Sequence, residues 1–115
     1  MAMTEAFRNY MLTQGAALIT HIALFDGASE ITGGTPAYAR KAVTWDTAAS
    51  GAIRPTADLT FDIPASATVD GWRGFTADTG GTNYGGAALT AEDFAGQGQY
   101  KLLKASTGIL ASDPA

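Results

Sequence analysis

The sequence predicts an all-β fold, an antiparallel β-sandwich or flattened barrel of about seven short strands preceded by one short helix. Three observations carry that prediction. Short β-prone runs recur with turn residues every eight to twelve positions, only one segment has convincing helical spacing, and no crossover helices separate the runs as a parallel sheet would require. The chain has 115 residues, 46% hydrophobic and 16% charged, which suits a single domain spanning 1–115 with enough apolar material for one core.

The helix comes first. Thr4 is placed to cap it, Glu5 meets the positive end of the helix dipole, and Phe7, Tyr10 and Met11 recur at helical spacing over residues 5–13. Gly15 is the expected left-handed stop. The period then changes to two. In THIALF, residues 20–25, Ile22 and Leu24 share one face and His21 the other, with Asp26 and Gly27 as the turn.

TPAYARKAVTW, residues 35–45, reads as a second strand entered through Gly33 and Gly34. DLTFDIP, residues 58–64, alternates Leu59, Phe61 and Ile63 with Thr60 and Asp62, the pattern of a strand with one wet face, and Pro64 closes it. TVDGWRGFT (68–76), TNYGGAAL (82–89) and QYKLLKA (99–105) follow as strands, TGILA (107–111) is a weaker candidate, and residues 106–115 otherwise form a tail. The connections DTAASGAIRPTA and TAEDFAGQG are expected on the surface, with AEDF able to form one helical turn.

TADTGGTNYGG, residues 76–86, holds four glycines in eleven residues. A phosphate-binding loop needs a following helix whose N-terminus receives the anion, and none follows here. Asp78, Thr79, Gly80 and Gly81 instead supply the side-chain caps and positive φ angles of a hairpin turn.

The search for chemistry returns no catalytic, cofactor-binding or metal-ligating set. There is no cysteine, His21 is the single histidine, the serines lie outside any nucleophile-elbow motif, and the carboxylates lack calcium-loop spacing. The net charge of −4 and scattered basic residues argue against nucleic acid, and the longest apolar run, residues 16–25, is too short to span a membrane. Without a basic start it also makes a poor secretory signal. The expected reading is a non-enzyme without cofactor. Trp45, Trp72, Phe75 and Tyr84 are chiefly core candidates, and one exposed Trp among them would suit glycan binding.

The order HIALFDG, GGTPAYARKAVTW, DLTFDIPASATVDGWRGFTADTGGTNYGGAAL resembles a family of small structural proteins of tailed bacteriophages, the phage tail fibre or minor virion proteins. Ile22 to Phe25, Tyr38 to Trp45, Thr60 to Ile63 and Ala77 to Gly81 carry the resemblance, while Trp72, Arg73 and the DTAASGAIRP connection depart from it. The resemblance implies a virion subunit assembled in the host cytoplasm, with no catalytic residues and no cofactor. No heptads or shaft repeats are present to project a fibre tip. The leading expectation is therefore a capsid decoration protein, a homo-oligomer, expected as a trimer, bound to the major capsid protein or other virion proteins. The alternative is a tail-fibre or minor tail module that binds host receptor or cell-wall glycan. Candidate contact residues are Phe7, Tyr10, Met11, Trp72, Arg73 and Tyr84.

Overall fold

The computed structural model describes residues 4–104 and 107–110. It is an antiparallel all-β structure with one N-terminal helix. The elements are α1 (Glu5–Ala16), β1 (His21–Asp26), β2 (Ser29–Glu30), β3 (Lys41–Ala42), β4 (Ala52–Ile53), β5 (Leu59–Ile63), β6 (Thr68–Phe75), β7 (Asn83–Asp93), β8 (Gly98–Leu102) and β9 (Ile109–Leu110).

The main sheet runs β2-β1-β6-β7, with β3 also paired to β1. Leu24 lies opposite Trp72 and Ile22 opposite Gly74, which sets one apolar face toward the β5–β8 ribbon. Ile22, Leu24, Val69 and Trp72 from the sheet meet Phe61, Ile63 and Leu102 from the ribbon in the principal core. That two-layer arrangement is sandwich-like.

Four of the nine described strands are two residues long; of these, β3 falls inside the predicted run 35–45 and β9 inside TGILA, while β2 and β4 have no strand signal of their own. The predicted strand at 35–45 is strand only at Lys41–Ala42. Gly33 and Gly34 take φ of 90° and 99°, and Pro36 has no N–H to give a ladder, so most of the segment stays out of the sheet while Tyr38, Val43 and Trp45 still pack on the core. Its side chains replace the missing strand bonds: the Tyr38 hydroxyl accepts the Leu24 N–H at 2.9 Å. The connection 46–57, expected on the surface, instead buries Ala48 and Ile53, because it turns at Ser50 and Gly51, both left-handed, and forms β4 against the helix. Ile109–Leu110 pairs with it, so that part of the expected tail is strand, while 106 and 111–115 lie outside the described residues.

AEDF forms no helical turn; β7 continues through Asp93, paired with Thr68, and Phe94 packs on the core. The helix also outruns its prediction. Thr4 does cap it, its Oγ1 accepting the Phe7 N–H at 3.2 Å, but Gly15 keeps helical geometry and α1 continues to Ala16. Burial explains the extra turn, because Ala16 and Leu12 close a second small core with Ala48 and Ile53. Burying Ala16 outweighs the mild helix penalty of one glycine.

Gly74 shows how tightly the segment after α1 lies on the sheet. A Cβ there would sit 2.6 Å from Ile19 Cγ2. Gly74→Ala is expected to destabilise by about 1–3 kcal/mol through overpacking, measured by urea unfolding, and the overlap to be relieved by Ile19→Ala, which removes Cγ2.

Candidate functional site

Three groups of residues stand out once the elements are placed: an apolar groove beside α1, a buried polar clamp, and the outer face of the main sheet.

The groove arises because α1 is apolar on more than the face it buries. Leu12 and Ala16 point into the body, whereas Phe7, Tyr10 and Met11 are exposed, Tyr10 to 61%. Leu18, 54% exposed, extends the same apolar surface past the end of the helix. Tyr84, at the start of β7 and also 54% exposed, stands across from Met11 and Leu18. Together with Leu12, Ala16 and Ile109 they line a depression of about 250 Å³ whose walls are almost entirely apolar. Large exposed side chains grouped in this way mark a contact surface more often than scattered ones do.

Neighbouring β7 is the edge of the main sheet, paired among the described strands with β6 alone. Its register slips twice against β6, between Arg73 and Phe75 and again between Val69 and Gly71, and Gly85 at the first slip has φ 89°. Bulges of this kind twist an edge away from strand addition. The groove, and not the edge, is the surface that invites contact.

The clamp joins segments far apart in sequence. Arg40 donates from Nε and Nη2 to the two oxygens of Glu30, each at 2.9 Å, and from Nη1 to the carbonyls of Ala77 and Gly80 at 2.9 and 2.8 Å. Tyr38 donates to Glu30 Oε2 while accepting from Leu24, so every member has a defined role. Burial raises the Tyr38 hydroxyl pKa well above its usual value, with a further push from the Glu30 charge, which keeps it a donor. The arginine thereby ties down the loop predicted from TADTGGTNYGG, which is a hairpin turn with Gly80 and Gly81 at φ 67° and 75°. Thr76 and Thr82 close its neck.

The outer face holds Ala23, Phe25 and Phe75, with Arg73 between them on β6. His21 is half-buried at the start of β1, its Nδ1 2.9 Å from the Thr20 hydroxyl.

Of the six contact candidates named from sequence, four are exposed around or near the groove: Phe7, Tyr10, Met11 and Tyr84. Trp72 is not among them. It is 4% exposed in the principal core, because the strand repeat places it beside Leu24 on the inward face. Arg73, its neighbour, points the other way and is half-buried on the outer face. Sequence reasoning missed Leu18, whose exposure depends on how the chain leaves the helix, and the Glu30–Tyr38–Arg40 set, whose one visible signal was two polar side chains inside a β-prone run.

The chain matches no known family model, no curated protein and no solved structure.

Proposed function

We propose that the protein is a structural subunit of a bacteriophage virion, a non-enzymatic decoration protein that binds the outside of the shell through the groove between α1 and β7. The observation that supports this reading is the grouping of Met11, Leu18 and Tyr84, all exposed, around one apolar depression. The motif resemblance across HIALF, YARKAVTW and ADTGG supplies the virion context. Mechanically, each copy would bury this surface against a shell subunit, and clustering of copies would multiply weak contacts through high local concentration.

The glycan-binding alternative uses Trp72, Tyr84 and the hairpin tip as its contact surface. With Trp72 in the core, Tyr84 is left without that partner, and the decoration reading is preferred.

The test is co-sedimentation of the purified protein with empty expanded shells, against host envelopes as control. Binding to shells is expected, together with a copy number in purified virions on the order of hundreds. Leu18→Ser combined with Met11→Ser should weaken shell binding about tenfold or more, and because the contact is apolar, raising salt should change it little. Envelope binding without shell binding would overturn the proposal.

A further inference from the structure

The outer face of the main sheet carries two arginines in the same pose with opposite hydrogen-bonding fates. Phe25 and Phe75 stack with centroids 6.1 Å apart and planes within 7°. Arg40 covers Phe75, its guanidinium carbon 3.7 Å from the ring centroid, and Arg73 covers Phe25 at 4.7 Å. Arg40 is saturated by Glu30 and two carbonyls. Among the described residues no carboxylate lies within ion-pair distance of Arg73.

A guanidinium held over an aromatic ring, with no ion-pair partner among the described residues, has already lost part of the freedom that binding a planar oxyanion would cost. Arg73 also stands at the side of a depression of about 390 Å³. Gly71, Gly86 and Ala88, successive positions across β6 and β7, contribute nothing larger than a methyl group to it. That leaves room for an extended chain to lie on the sheet. Asp70 lines the same depression, fixed by accepting the Gly27 N–H at 2.9 Å, so a second negative charge on the incoming chain would be repelled.

We propose that this depression docks an extended segment of a partner protein carrying one carboxylate among small residues, the carboxylate gripped by the Arg73 guanidinium through two parallel N–H···O bonds. Charge complementarity selects this occupant: Arg73 has no ion-pair partner among the described residues and can take one carboxylate, while Asp70 in the same depression and the chain's charge of −4 disfavour a more acidic segment. This surface is separate from the α1 groove, and the inference stands or falls independently of the virion reading.

The probe is a blocked Ala-Ala-Glu-Ala-Ala peptide, titrated into the full chain and followed by the arginine Nε–Hε and backbone amide resonances. Saturable shifts are expected at Arg73 and at the amides of Gly71, Gly86 and Ala88, with Arg40 unmoved. The glutamine peptide should bind at least about tenfold more weakly, and Arg73→Lys should weaken binding because an ammonium lacks the fork. Arg73→Gln should abolish it. Linear, unsaturating shifts shared with Arg8, equal binding of the glutamine peptide, or inorganic phosphate binding as tightly as the peptide would each overturn the proposal. The wild-type titration decides the matter even if Arg73→Gln fails to fold.

Discussion

Arg40→Met is expected to cost about 3–5 kcal/mol, the range for breaking a buried ion pair from one side. The side chain is only 8% exposed, and its removal strands three kinds of partner at once. Glu30 keeps a carboxylate, 23% exposed, with Tyr38 as its remaining donor; the carbonyls of Ala77 and Gly80 lose theirs; and Phe75 loses the guanidinium over its ring. Thermal unfolding should fall by roughly 12–40 °C, at about 4–8 °C per kcal/mol for a domain near this size. Amide exchange at Thr76 and Thr82 should quicken before the global transition, because the hairpin turn is tied to the sheet through this residue. A loss below about 1 kcal/mol would show that the clamp is ornamental. The double replacement Glu30→Met with Arg40→Met should be less damaging than the single one, since it leaves no charge unpaired.

The same clamp fixes an acid limit. Burial alone would raise the Glu30 carboxyl, but the hydrogen bonds from Arg40 and Tyr38, helped by the Arg40 charge, outweigh it and hold the group below its usual 4.5. A carboxyl with a lower pKa folded than unfolded binds fewer protons in the native state between the two values. Its stabilisation is therefore complete above pH 4.5 and is lost as pH falls through the folded value. Glu30→Gln should start from lower stability at neutral pH and decline less steeply below pH 4.5, as followed by circular dichroism.

Which parts of this were legible in the sequence follows from the range of the interactions involved. DLTFDIP forms β5 with Phe61 and Ile63 buried because its signal is a local alternation, and the Thr4 cap and Gly80–Gly81 turn are local in the same sense. Strands β2 and β4 carry no such signal, and β3 and β9 survive only as two-residue pieces of the runs 35–45 and 107–111, since so short a strand exists only where a partner supplies its bonds. Gly15 misled for a related reason: the stop it offered locally was overruled by Ala16 meeting Ala48 and Ile53. At the groove, of Phe7, Tyr10 and Met11, which spacing in α1 grouped, Met11 lines the depression, and only the fold shows that Leu12 and Ala16 form the buried face and that Tyr84 comes to meet Met11.

Trp72→Ala tests the most consequential of those distinctions, core against surface, and should cost about 3–5 kcal/mol. Trp72 lies opposite Leu24 on one side and Ala87 on the other, and it packs in the same core as Phe61 and Ile63 from the facing ribbon. Emptying that position removes the largest side chain of the principal core. The β6–β7 pair offers little relief by moving inward, because a Cβ at Gly86 would already overlap the Trp72 carbonyl oxygen: the two backbones are as close as a side-chain-free residue permits. The cavity should therefore persist, and the cost should stay near the upper end of the range. Trp72→Phe should recover about half of the loss by refilling most of the volume. Tyr84→Ala provides the contrast, since an exposed aromatic removed from the groove should change stability by less than about 0.5 kcal/mol while weakening shell binding. If urea unfolding gave the reverse order, with Tyr84 costly and Trp72 nearly neutral, β6 would be facing the other way, and both the groove and the Arg73 surface would lose their geometry.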